Sequence, residues 1–217
     1  MLRLAQYRHL SKGDYSDWRV PTVVELQSLV DYLRVKVLKF NQRILWTSES
    51  RFEEKNSALA LDLKSDFLTA YPVDANVPVR CVRGDFLSVP EGDRFIDNGG
   101  ASLVLISDLA ERNGAARESI YTRDRLTGLA WTRGSNPGMN QANAEEACQM
   151  LGESWHLPTV KEMITVVDYK RAGPASNATV FPLTSPYYVY FWTSTPAKRA
   201  RQQGFLAVSF QDGEIHG

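Results

Sequence analysis

The feature that most constrains this chain is an internal repeat. Residues 18–32 read WRVPTVVELQSLVDY and residues 155–169 read WHLPTVKEMITVVDY. More than half of the positions are identical without a gap: Trp18 with Trp155, Pro21 with Pro158, Thr22 with Thr159, Val23 with Val160, Glu25 with Glu162, and Val30-Asp31-Tyr32 with Val167-Asp168-Tyr169. The order of the downstream segments repeats as well. Trp46-Thr47-Ser48 is matched by Trp192-Thr193-Ser194, and the alternating segment from Ala58 to Leu63 by the one from Phe205 to Phe210. Repeats bound the fold before any local reading does. Each copy must supply one helix and a few strands that bury a shared apolar side.

Local chemistry gives each block a shape. Thr22 and Thr159 stand three residues before Glu25 and Glu162, the spacing of a capping box, in which side chains satisfy free amides at a helix start. Pro21 and Pro158 precede the caps and stop any earlier helix. Leu26, Leu29 and Val30 then fall on one helical face, as do Met163, Val166 and Val167. The WTS segments and the alternating runs after them read as strands. Between the copies, residues 84–119 hold Pro90-Glu91-Gly92, Asp97-Asn98-Gly99-Gly100 and Asn113-Gly114, all turn chemistry. Ser102 to Ile106 could form a short strand, and Tyr121 to Trp131 reads as strand, turn and strand. The expected organisation is a first copy over 1–84, a linker over 85–119 and a second copy over 120–217.

Bulk properties narrow the function class. With 217 residues, 43% apolar and 11% aromatic, the chain can bury a sizeable core. Twenty-five basic residues balance 25 acidic ones. No global charge steers it to nucleic acid or an anionic membrane, so anion binding must come from a local cluster. No run of about 18 apolar residues is present, which excludes a transmembrane helix. Met1 to Leu10 has no apolar core, so no secretory signal is read there. Two cysteines, Cys81 and Cys148, fit either a reduced protein or a single disulfide in an exported one.

Several pieces together resemble a known family. They are Asp124-Arg-Leu-Thr-Gly-Leu-Ala-Trp131, a helix ending at Cys148, Trp155-His-Leu-Pro-Thr-Val-Lys-Glu162, Phe181-Pro182, Trp192-Thr-Ser-Thr195 and the closing alternating strand. Copy one contributes Asp17 to Glu25 and Val79-Arg-Cys-Val-Arg83, and Phe95 to Gly100 looks like a lead-in to a new copy. This order resembles the Lcl C-terminal domain family, the bacterial module at the end of collagen-like adhesins, often in tandem. The resemblance implies an α+β, C-type-lectin-like fold. Two pseudo-symmetric copies would each pack one main helix on a small twisted, mostly antiparallel sheet, with long loops. It implies an exported, non-catalytic module, extracellular, at the cell surface or periplasmic, that recognises an anionic or sulfated glycan or another surface protein. A subunit of a surface fibre, phage tail or other assembly is the structural alternative, and a homo-oligomer is compatible with either. Copy one lacks the family's opening TGL-x-W strand and copy two its closing VRCVR strand. In the family pattern a helix cysteine faces one in the closing strand. The resemblance therefore implies that strand 78–83 pairs with the strand around 126–131 and that Cys81 bonds Cys148.

The candidate binding residues are basic. Lys198, Arg199 and Arg201 come after the second WTS strand, Arg51 after the first, and Arg43 closes a run with Arg34, Lys36 and Lys39. Arginine offers a planar fork for sulfate or carboxylate. Trp18, Trp46, Trp155 and Trp192 recur at matching places, which favours core packing over a sugar-stacking platform; Trp131 reads as core too. Signals for catalysis, nucleic-acid binding and cofactors are lacking. The three histidines have no metal-ligand spacing, Glu25 and Glu162 are explained as caps, and no G-x-S-x-G, P-loop or H-E-x-x-H occurs. The Glu-Pro-Asn type motifs of calcium-dependent lectins are also lacking.

Overall fold

A computed structural model describes residues 17–30, 43–50, 56–63, 67–84, 93–97, 121–132, 138–171, 173, 175–178, 180–181, 189–197 and 204–217. These residues form an α+β structure of three small antiparallel sheets and a few short helices. The chain divides into two compact units. The first is Met1–Phe86 with Tyr169–Ala172, and the second is Leu87–Asp168 with Gly173–Gly217. No helix among the described residues is long and apolar enough to cross a membrane.

In the first unit, helix α1 (Val23–Ser28) precedes a sheet ordered β1 (Ile44–Trp46), β2 (Ser57–Asp62), β3 (Leu68–Pro72). The alternation of Ser-Ala-Leu-Ala-Leu-Asp explains why β2 is central. Every one of its residues is buried, so both faces are covered. Leu59 and Leu61 lie on one face, with Leu45 opposite Leu61; Ala58 and Ala60 lie on the other, with Trp46 opposite Ala60. Each fully buried leucine contributes about 1.5–3 kcal/mol of transfer free energy. Helix α1 packs on this sheet through Val23 and Leu26. It is shorter than a helical face of Leu26, Leu29 and Val30 suggests. It ends at Ser28, so Leu29 sits in the cap and is exposed, while Val30 returns to the core.

The second unit holds two sheets. In one, β4 (Phe95–Asp97) pairs with β5 (Tyr121–Asp124), which pairs with β6 (Ala130–Thr132). Strand β4 lies inside the span read as a linker. Helices α2 (Gln141–Gln149) and α3 (Val160–Met163), the latter continued by a 3₁₀ turn over Ile164–Val166, precede a sheet ordered β7 (Tyr190–Ala197), β8 (Gly204–Ser209), β9 (Ile215–His216). Phe181 sits edge-on to Phe95, Trp131 and Phe210 at centroid distances of 5.4, 6.3 and 6.5 Å. Phe191 adds to this cluster, 4.5 Å from Phe210. Such pairs add about 0.5–1.5 kcal/mol each beyond burial. Phe181 is thus an aromatic anchor.

Two expectations are corrected. The first is the shared sheet with its disulfide. Cys81 and Cys148 are not bonded. Segment 78–83 stays with its own copy: Val82 bridges to Arg19, and the Pro78 carbonyl accepts from Trp46 N at 2.9 Å. Strand β6 pairs with β5 instead. Burial holds both thiols above their ordinary pKa, with the charge of Glu145 adding to the effect at Cys148. Both therefore stay protonated near neutrality. The second correction concerns the tryptophans. Trp46 is core, but Trp18 and Trp192 are exposed and Trp155 and Trp131 only partly buried. Motif identity does not determine what covers a ring.

Candidate functional site

The most elaborated polar arrangement occurs in both copies, at the helix starts. In each, the threonine hydroxyl accepts from the N3 amide, and the N3 glutamate accepts from the threonine amide: Thr22 with Glu25, and Thr159 with Glu162. The amide-to-carboxylate distance is 2.8 Å in both. Pro21 and Pro158 serve a second purpose. Their carbonyls accept from the amides of Ser48 and Ser194 at 2.8 and 2.9 Å.

That contact explains the Trp-Thr-Ser signature. The hydroxyls of Thr47 and Thr193 donate to the carbonyls of Leu59 and Leu206 on the neighbouring strand at 2.9 and 2.8 Å. Ser48 and Ser194 tie the first strand to the proline, and the next residue reaches the helix itself. Glu49 Oε2 accepts from Val23 N at 2.9 Å, and Thr195 Oγ1 accepts from Val160 N at 2.9 Å. The W-x-x-P-T and W-T-S blocks are two ends of one strut joining a strand to a helix start. Glu49 was not singled out from the sequence, and Thr195 was quoted only as the end of the Trp192-Thr-Ser-Thr195 run; a carboxylate in one copy and a hydroxyl in the other hide their common role.

The carboxylates in these struts are engaged structurally. Burial alone would raise the Glu25 carboxyl. Hydrogen bonds from Arg19 and from the Thr22 amide and hydroxyl outweigh it, and Glu25 lies below its ordinary pKa. The Arg19 fork holds both carboxylate oxygens at 2.7 and 2.6 Å. In the second copy burial again acts upward on Glu162. The Thr159 amide and hydroxyl and His156, 3.3 Å away, bring it below the ordinary value. Glu49 behaves in the opposite sense. Burial raises its pKa, and the Val23 amide, Ser48 and the charge of Lys170 only partly compensate. A carboxyl with a raised folded pKa costs stability above that pKa and ceases to do so once protonated. Glu49→Thr, which copies Thr195, keeps a side-chain oxygen for the Val23 amide and removes the buried charge. Its melting temperature at pH 7 should exceed that of the parent, and the difference should shrink as pH falls through the carboxylate range. A variant equally or more destabilised at pH 7 would contradict this.

Lys198, Arg199, Arg201 and Arg51 lie outside the described residues. Strands β7 and β8 are in register at Ala197 and Gly204, so the first three belong to the segment joining those strands. Arg51 belongs to the segment joining β1 to β2. Arg43 is exposed, with its fork closed on Asp62 through bonds of 2.8 and 2.6 Å. Among the described residues no group of three or more His, Cys, Asp or Glu is arranged to hold a metal ion.

Two further polar features were not anticipated. Asp124 is fully buried and accepts from Arg94 Nε and Nη2 at 2.8 and 2.6 Å, from the Leu126 amide at 3.0 Å and from the Thr127 hydroxyl at 2.9 Å. The turn closes with the Gly128 amide on the Asp124 carbonyl, and Gly128 adopts a φ of 76°, which an L side chain would strain. Arg94 also reaches the Thr165 carbonyl at 2.8 Å. The Asp-x-x-Thr-Gly run is thus a turn clamp. The second feature is Gln27, whose amide oxygen and nitrogen are both buried without a hydrogen-bond partner among the described residues.

These frameworks define a class: two capped-helix and sheet units held by the same strand-to-helix strut. A model of the Lcl C-terminal domain family matches residues 3–83 and 121–217, and the chain belongs to that family in two tandem segments. Neither the curated proteins nor the solved structures yield a match.

Proposed function

We propose that this chain is a non-catalytic recognition module acting outside the cytoplasm, at a cell surface or in the periplasm. In this reading it has two pseudo-symmetric C-type-lectin-like copies and binds an anionic, sulfated glycan. The observation that carries the reading is the division of labour between repeated struts and divergent connections. The repeated carboxylates Glu25 and Glu162 are held in caps, whereas the segment joining β7 to β8 carries Lys198, Arg199 and Arg201. Its counterpart joining β1 to β2, residues 51–55, is of mixed charge with Arg51, Glu53, Glu54 and Lys55. Divergence there is what a binding surface on a fixed scaffold requires. Exposed charge-assisted contacts of this kind contribute less than the roughly 1.5–3 kcal/mol of well-made ones, so several must act together.

Retention on a heparin column tests the reading. The parent should be retained and elute earlier as salt rises. A triple change of Lys198, Arg199 and Arg201 to alanine should elute near the void without loss of folding. Unchanged retention of the triple variant would remove the basic segment from the account. No retention of the parent, with concentration-dependent oligomers, would favour the structural-subunit alternative.

A further inference from the structure

Most of the described basic side chains are held by other parts of the protein. Arg19, Arg43, Arg83 and Arg94 each close on a carboxylate. Arg125 donates to the Asp93 carbonyl at 3.2 Å, Lys170 acts on Glu49 through its charge, and Arg80, Lys161 and Arg171 are engaged as well. Among the described residues Arg123 is the one lysine or arginine with no side-chain hydrogen bond, ion pair or ring contact. A guanidinium carries five N–H donors in a rigid fork, the shape that a sulfate or carboxylate accepts through two oxygens at once.

The sheet sets where this fork stands. Arg123 is on β5, the central strand of β4–β5–β6, and the burial of Thr122 and Asp124 on either side of it turns Arg123 to the outer face. Its partners on the flanking strands, Ile96 and Ala130, are both exposed on that face, and neither offers an acceptor. Two residues back along the strand, and so on the same face, Tyr121 meets Trp155 edge-on with ring centroids 5.9 Å apart. Both rings are only partly buried. A free fork and a braced pair of rings therefore share one surface. Tyrosine and tryptophan combine an apolar body with a polar tip, which suits a ligand that is wet on one side and apolar on the other. Rings fixed against each other before binding lose little further freedom on being covered.

We propose that Arg123, with Tyr121 and Trp155, forms a second subsite for an anionic sugar, the guanidinium taking a sulfate or carboxylate and the rings the C–H face of the sugar. This subsite presupposes the glycan reading above and adds to it a point of attachment on a different sheet from the Lys198–Arg201 segment. Exposed charge contacts are weak one by one, and two subsites on one chain of sugars reinforce each other by raising the effective concentration of the second contact. A nucleic acid is the other common polyanion, but its affinity comes from several basic residues set along the phosphates. This face presents a single cation beside aromatic rings, which fits one charged sugar.

The test is an equilibrium titration of the full chain with a heparin-derived sulfated oligosaccharide, comparing the parent with Arg123→Ala, Arg123→Lys and Tyr121→Ser. Arg123 is exposed and holds nothing in the fold, so its replacement should leave the melting temperature unchanged. Arg123→Ala should weaken binding by about threefold to tenfold. Arg123→Lys should recover only part of that, because lysine keeps the charge and loses the fork. Tyr121→Ser should weaken binding with no change of charge. Binding by Arg123→Ala at the parent's affinity overturns the subsite and leaves the glycan reading standing, whereas no binding by the parent overturns both. Full recovery in Arg123→Lys together with no effect of Tyr121→Ser reports a general charge effect and also overturns the subsite. So does a poly-glutamate peptide that binds as tightly as the sugar and loses as much with Arg123→Ala, which makes the fork a contact for acidic peptide.

Discussion

Replacing Asp124 with alanine is expected to destabilise the second unit by about 3 kcal/mol, the lower end of the range for breaking a buried ion pair, because Arg94 keeps some access to water. The change strands the guanidinium and removes the side-chain acceptor for the Leu126 amide and the Thr127 hydroxyl. For a unit of this size the melting temperature should fall by about 10 °C or more. The loss has a defined pH dependence. Burial pushes the Asp124 carboxyl up, but the bonds from Arg94, the Leu126 amide and Thr127, with the Arg94 charge, hold it below its ordinary value. A depressed folded pKa gives stability that is complete above the unfolded value, near 3.9, and is lost as pH falls through the folded one. The gap between parent and Asp124→Asn should therefore be widest near neutrality and narrow in acid. Melting curves across pH check it; a gap constant with pH would show that packing, not charge, is responsible.

Gln27→Ile is expected to act in the other direction. Gln27 is fully buried with both amide atoms unpartnered, and the matching position of the second copy is Ile164, also fully buried. An unsatisfied buried amide costs about 1–3 kcal/mol, and an apolar side chain of similar volume removes that cost. Denaturant unfolding should show a gain of about 1–2 kcal/mol at unchanged slope. A loss of stability would mean that the amide has a bound partner in solution.

What the sequence made legible was local. Thr22 with Glu25 and Thr159 with Glu162 were readable as capping boxes because three residues and one turn of helix contain the whole interaction. The strands at the WTS blocks, in the alternating runs after them and on either side of the turn after Tyr121 were readable, whereas β4 fell in the span read as a linker. The unread parts depend on contacts distant in sequence. The cysteine pairing hinged on which strand lay beside 78–83, and the Arg19–Val82 bridge settled that in favour of its own copy. Trp46 and Trp192 are the same letter in the same motif. Val77 and Val79 pack against the cluster that holds Trp46, whereas Trp192 is exposed, and neither outcome is written in the motif. The bond from the Val23 amide to Glu49, 2.9 Å long, joins residues twenty-six positions apart and leaves no local trace in the sequence. Of the candidate binding residues, Arg43 is described and it is paired with Asp62; the pairing was invisible because nineteen positions separate them.

Equilibrium titration of the parent chain with a sulfated oligosaccharide and with its desulfated counterpart, over a series of salt concentrations, separates the proposed recognition of negative charge on a glycan from its alternatives. Binding of the sulfated sugar should weaken steadily with salt, the desulfated one should bind little, and the salt dependence should become shallower once Lys198, Arg199 and Arg201 are alanine. Equal affinity for the two sugars, or no binding of the sulfated one at low salt, would contradict it.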